Sequence, residues 1–115
     1  MNGFNQVRLI GNLGTDAVAK GFDNGSAVIN FSIATQESWK DAQGQKQTTV
    51  QWHSCTQNFK NLENAKKVAK FMTKGKCLVV DGMLKYNKKD DKTYAYIHVS
   101  NWDFTPGQPK EENQA

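Results

Sequence analysis

Arginine is almost missing from this chain. Of its 15 basic residues 14 are lysine, and the one guanidinium belongs to Arg8. A phosphodiester-cleaving site would want arginines for the phosphate and clustered carboxylates for a metal. The 11 acidic residues are scattered, with no spacing that places two carboxylates together. There is no phosphate-cradling glycine loop, no nucleophile elbow and no His-Glu-x-x-His, so no enzyme activity, no metal and no cofactor is expected. Cys55 and Cys77 are too few for a disulfide framework. Neither they nor His53 and His98 show the paired spacing of a zinc site, and both cysteines read as small buried hydrophobes in strand-like segments. No apolar run approaches the ~18 residues of a membrane span. Met1 to Asn12 has neither the basic nor the apolar region of a signal peptide. The expectation is a cytoplasmic protein with no membrane partner. Proline occurs only at Pro106 and Pro109, where ordered structure is expected to end.

What remains is polar and basic. With 115 residues, 37% apolar and 23% charged, the chain has the size and composition of one globular domain, and the net charge is +4. The charge is uneven. Between Lys60 and Lys92 ten lysines face Glu63, Asp81, Asp90 and Asp91, a local net of +6. Such a segment on a small domain points to a polyanion, although a solubilising surface would look the same by charge alone.

Strand periodicity dominates. Asn5 to Leu13 reads as a first strand, with Val7 and Leu9 on one side and Arg8 on the other; Gly11 and Gly14 mark a bend near its end. Asp23-Asn24-Gly25 is a turn. Ala27, Ile29, Phe31 and Ile33 alternate with Val28, Asn30, Ser32 and Ala34, a long strand with one apolar face. Trp39 to Gln47 reads as a polar turn or flap, and Lys46 to Gln57 as a third strand. Phe59, Leu62, Ala65, Val68, Ala69 and Met72 then recur at three- and four-residue steps, the period of a helix. Asn58 or Asn61 would cap it, and Gly75 would follow its end. Cys77 to Leu84 is a fourth strand with a bulge at Gly82, Tyr86 to Lys92 a charged hairpin loop, and Thr93 to Phe104 a fifth strand. The chain is thus mainly all-β. Three strands, one helix and two strands predict a five-stranded OB-fold barrel, with the helix between the third and fourth strands. Residues 1–105 form the domain and 106–115 a short flexible tail.

Aromatic residues are interleaved with lysines. Trp39 precedes Lys40, Trp52 lies among polar neighbours, Phe59 precedes Lys60, and Tyr86 stands among Lys85, Lys88 and Lys89. Tyr94 and Tyr96 alternate with Ala95, Ile97 and Val99, and the aliphatic set is the expected core filler. Phe31, Phe71, Trp102 and Phe104 read as core or interface. An exposed aromatic ring can stack on any unpaired base, and lysines meet phosphates without reading base edges. This pattern points to binding of single-stranded nucleic acid without sequence preference. A tryptophan in a small barrel is more often core, and a single lysine is more often plain surface.

An ordered set of motifs carries a family resemblance over about residues 5 to 100. Asn5-x-Val7, Gly11-Asn12-Leu13-Gly14-x-Asp16, Asn24-Gly25-x-Ala27-Val28, Ala34-Thr35-x-Glu37-Ser38-Trp39-Lys40-Asp41, Trp52-His53 and Lys74-Gly75-x-x-Leu78-Val79-Val80-Asp81-Gly82-x-Leu84-Lys85 resemble the bacterial single-stranded DNA-binding proteins. The resemblance implies an OB-fold homotetramer, or dimer of dimers, that coats and protects single-stranded DNA in replication, recombination and repair, associated with the nucleoid. It implies stacking positions at Trp39 and Trp52, and a third at Asn58 or Phe59, of which Phe59 is favoured. Lys20, Lys40, Lys60, Lys74, Lys85 and Lys88 fall where the family tends to place basic groups. A further stacking tryptophan of the family is replaced by Lys89, so either Tyr86 takes over the stacking or this arm, with Lys89 as a further phosphate contact, binds by charge alone. Asn5, Val7, Leu9 and His53 match positions at subunit contacts. The family's acidic C-terminal tip, which recruits other enzymes, has no counterpart in Glu111-Glu112-Asn113-Gln114-Ala115, so recruitment by that route is not expected. A primosomal accessory protein of the same fold and a protein-interaction barrel are the alternatives.

Overall fold

The computed structural model describes residues 2–105; the tail expected over residues 106–115 lies outside the described residues. Six strands and one helix follow in the order β1 (Val7–Leu13), β2 (Val18–Gly21), β3 (Ala27–Lys40), β4 (Lys46–Phe59), α1 (Leu62–Ala69), β5 (Cys77–Lys89) and β6 (Lys92–Phe104). β2 is a strand beyond those read from the sequence. Its four residues are too few to show alternation, and it exists because Val18 to Gly21 pairs with Asn30 to Ala27 of β3. β1 reaches β3 at Asn12–Ala34 and Leu13–Ile33, so β1 and β2 run along β3 as one interrupted strand. Taken so, the barrel has the five strands expected of an OB fold, with α1 between the third and fourth.

The ring closes in the order β1, β5, β6, β4, β3 and back to β1. The seam between β4 and β6 is parallel and short, bridging only at Cys55–Ile97 and Thr56–His98. All other contacts are antiparallel. Glycines permit close approach at two of them. A Cβ at Gly11 would meet the Ala34 carbonyl, and one at Gly82 the His98 carbonyl. The register slips between Asp81 and Gly82, the bulge expected there.

One side of each strand fills the barrel. Leu13, Ala27, Ile29, Phe31, Ile33, Cys55, Leu78, Val80, Ile97 and Val99 are buried, with Ala65 of α1 and Met72 plugging one end. Burial pushes the Cys55 thiol up to about 12, so it stays protonated. Phe71, one residue before Met72, points the other way and is 62% exposed, so it is not core. Trp102 is half-buried, and its indole N–H donates to Gln57 Oε1 at 2.8 Å.

In two segments expected as turn or loop, strand pairing runs further out than expected. β3 and β4 stay in register from Ala27–Phe59 out to Lys40–Lys46, leaving only residues 41–45 as the turn. β5 and β6 pair out to Lys89–Lys92, leaving Asp90 and Asp91, both at positive φ (52° and 67°), as a two-residue turn. Polar composition misled the reading because these arms leave the barrel and have water on both faces. The helix is shorter than its apolar period. Phe59 belongs to β4, and Asn61 is the cap, its side chain accepting from the Asn64 amide at 2.8 Å. The chain leaves the helix at Lys70, so Gly75 (φ 91°) serves the following turn, where its amide donates to the Leu13 carbonyl at 2.9 Å.

Two carboxylates secure the frame. Asp41 accepts from the Gln45 amide, the Gln47 side chain and the Gln43 amide, and these bonds hold it below the usual carboxylate range. Arg8 grips Asp81 across the β1–β5 ladder at 2.7 and 3.0 Å, which lowers Asp81 in the same way.

Leu78 is fully buried in the barrel, so Leu78→Ala should lower unfolding stability by about 2–5 kcal/mol in urea titration. A carboxylate with a depressed folded pKa contributes stability above its unfolded value of about 3.9 and loses it as pH falls through the folded one. The stability gap between wild type and Asp81→Asn should therefore be open near neutral pH and close in acid, below the ordinary carboxylate range. A gap independent of pH would mean the ion pair contributes nothing through its charge.

Candidate nucleic-acid interface

Strand alternation sorts the predicted site residues without ambiguity, because ladder partners share a face. Even-numbered residues of β2, β3, β4 and β6 face outward, opposite to buried Ile29, Cys55 and Ile97. Beyond the bulge, odd-numbered residues of β5 join them. This outer face carries Trp52, Lys20, Lys40, Lys85 and Lys89 from the predicted set. It also carries Lys46, Lys92, Tyr94 and Tyr96, which were not singled out as site residues. Six lysines thus stand on the outer strand positions from β2 across to Met83 and beyond on β5, with no carboxylate among them. The next outward residue down β5 is Asp81, and its charge is taken by Arg8.

Trp39, Phe59, Tyr86 and Lys88 lie on the other face. Trp39 pairs with Gln47 and Trp52 with Ala34; Trp39 lies five positions on from Ala34, an odd step on one unbroken strand, so the two tryptophans project from opposite sides of the β3–β4 arm. Trp39 is 47% exposed because the arm has left the barrel by that point. Tyr86 pairs with Ala95 on the corresponding side of the β5–β6 arm. Phe59 pairs with Ala27 and packs against the core. Lys60 follows β4, and Lys74 sits in the turn before β5, where its amide donates to Asp16 Oδ1 at 2.8 Å.

The exposed indole of Trp52 is not free to lie anywhere. It crosses β3 and rests on Gly14, where an added Cβ would run into the ring, with the Ser32 hydroxyl also close by. Gly14 therefore acts as the floor under Trp52, a role the sequence offered only as a bend. The outer face is otherwise polar. Thr56 Oγ1 donates to Asn30 Oδ1 at 2.9 Å, and Asn58 Nδ2 lies 3.2 Å from His98 Nε2.

The positions matched to subunit contacts serve this chain's own fold first. The Asn5 side chain donates to the Leu84 carbonyl at 2.7 Å and accepts from its amide at 2.9 Å, extending the β1–β5 ladder. Val7 and Leu9 pack on the core, and His53 Nε2 lies 2.8 Å from Thr35 Oγ1. The backbone of Val7 to Gly11 pairs with β5 on one side only, which leaves a sheet edge.

The comparisons agree with this architecture. Residues 4–104 match the model of the single-strand binding protein family. The single-stranded DNA-binding proteins of Neisseria meningitidis serogroup A and serogroup B are each 39% identical to the chain over 101 residues, 84% of this chain and 56% of theirs. The chain spans about half the length of these curated relatives. A Plasmodium falciparum SSB, solved in complex with ssDNA, superposes with a TM-score of 0.75 at 25% identity, covering 91% of this chain and 97% of that one. A deletion mutant of the Thermus aquaticus single-stranded DNA-binding protein shares the fold at a TM-score of 0.75 and 24% identity, covering 92% of this chain and 52% of its own.

Gly14→Ala should displace the Trp52 ring while leaving the barrel folded. The expected result is a shifted tryptophan emission maximum with far-ultraviolet circular dichroism unchanged. An emission spectrum identical to wild type would show that the ring does not rest there.

Proposed function

The chain belongs to the single-strand binding protein family, and from that membership we propose that it binds and coats single-stranded DNA without sequence preference. One observation carries this reading: the outer strand positions from β2 to the β5–β6 arm have six lysines, an exposed tryptophan and no carboxylate. Lysines there give up counterions when phosphates approach, a gain every sequence shares. Trp52 presents a flat apolar surface that any base can cover. Neither contact reads a base edge.

Trp39 enters differently. A strand stacked on Trp52 meets Trp39 only after passing round the edge of the β3–β4 arm, so the arm acts as a post about which the strand turns. Self-association into a homotetramer is part of the proposal, supported by the one-sided pairing of Val7 to Gly11, since an unpaired edge invites a second copy. Roles in replication, recombination and repair, and a cytoplasmic, nucleoid-associated location, follow from the proposed coating activity. No helix among the described residues is long and apolar enough to cross a membrane. Family membership does not favour the primosomal alternative.

Titration of tryptophan fluorescence with oligo-dT, and separately with duplex DNA, tests the reading. Single strands should quench strongly and duplex little. Trp52→Ala should cost about 1–3 kcal/mol on every homopolymer, whereas Trp39→Ala should matter only for oligonucleotides long enough to turn round the arm. Lys85→Ala should flatten the plot of log affinity against log salt by about 0.7. Equal quenching by duplex, or a salt slope untouched by Lys85→Ala and Trp52→Ala alike, would remove this face from the binding surface.

A further inference from the structure

The backbones of β4 and β6 pair only at their two-residue seam. Before Cys55, β4 keeps to β3; before Ile97, β6 keeps to β5. The two arms therefore part on the outer face, and a groove of about 490 Å³ opens between them, lined by Ser54, Thr56, Asn87, Tyr94, Ala95 and Tyr96. A smaller recess of about 150 Å³ continues from it to Trp52.

Two features of this groove go unused by the fold. Tyr94 and Tyr96 project from the same side of β6 about 7 Å apart along the strand, room for one flat ring between them. Tyr94 is 52% exposed, and among the described residues neither tyrosine ring stacks on another aromatic. The polar rim is also partly idle. Thr56 is engaged by Asn30, but among the described residues the Ser54 hydroxyl and the Asn87 amide have no hydrogen-bond partner. A hydroxyl and a carboxamide can each both donate and accept, so together they can meet the edge of any base. Lys85 and Lys89 flank the groove on β5, on the same face as Asn87.

We propose that this groove is a nucleobase subsite, holding one unpaired base against Tyr94 and Tyr96 with its edge at Ser54 and Asn87. The subsite rests on the single-stranded DNA reading above and extends its stacking surface from β4 to β6. A base on Tyr96 and another on Trp52 are neighbours across the recess, so one strand serves both.

The test uses the full chain and oligo-dT carrying a single 5-iododeoxyuridine, irradiated at long ultraviolet wavelength, with the adducts located by mass spectrometry. Adducts on Tyr94 or Tyr96, in addition to Trp52, are expected. The Tyr94→Leu/Tyr96→Leu variant should bind oligo-dT roughly 5- to 150-fold more weakly, while Tyr94→Phe/Tyr96→Phe, which keeps both rings, should bind within a few-fold of wild type. Adducts confined to Trp52, with unchanged affinity in the leucine variant, would overturn the subsite and leave the single-stranded DNA reading standing. Failure of the wild-type chain to bind oligo-dT at all would overturn that reading and the subsite with it.

Discussion

Closure of the barrel at the β4–β6 seam is the constraint on which the rest of this structure depends. The seam bridges only two residue pairs, Cys55–Ile97 and Thr56–His98. Cys55, Ile97 and Val99 are buried there, so one side of each strand is committed to a dry interior. Because side chains alternate strictly, that commitment releases the other side of every strand to water. The short seam also separates the arms. Antiparallel pairing holds β3 to β4 and β5 to β6 well past the barrel, and among the described residues no backbone pairing joins the two hairpins beyond Cys55 and Ile97. The groove bearing Tyr94 and Tyr96 is the direct consequence.

Charge is arranged along the same division. The chain's only arginine is not on the proposed binding face. It lies across the β1–β5 ladder with Asp81, where a planar fork can meet both carboxylate oxygens. Asp41 is likewise withdrawn, closed within the β3–β4 turn by two amides and the Gln47 side chain. With those carboxylates occupied elsewhere, the lysines of β2, β3, β4, β5 and β6 stand on the outer face without a partner of opposite sign among its strand positions. An unpaired cluster of this kind repels itself, and a polyanion relieves the repulsion on arrival.

How much was legible differs from element to element. The alternation of Ala27 to Ile33 is unmistakable because a half-buried strand must show it, and α1 declared itself through a change of period. β2 escaped because four residues cannot show a period. The arms escaped because alternation vanishes where both faces meet water. Trp39, Trp52 and the lysines were legible as aromatic and basic residues in an ordered family pattern. Their division between two faces was not, since it depends on the unbroken register from Ala27–Phe59 to Lys40–Lys46. Tyr94 and Tyr96 were recognisable as non-core, but only the neighbouring strands show what they line.

The sequence by itself determined the barrel class, the alternation of the long strands and a basic, aromatic composition, and its ordered motifs determined the family. The class, the alternation and the composition are local properties of a chain, and the family rests on motifs whose order can be read along it. Only the tertiary structure decided that Gly14 is the floor for Trp52, that Trp39 faces away from it, and that β4 and β6 part to leave a groove. Each of these rests on register between strands distant in sequence. Register is set by the packing of the closed core, where a slip of one residue would turn a whole strand inside out.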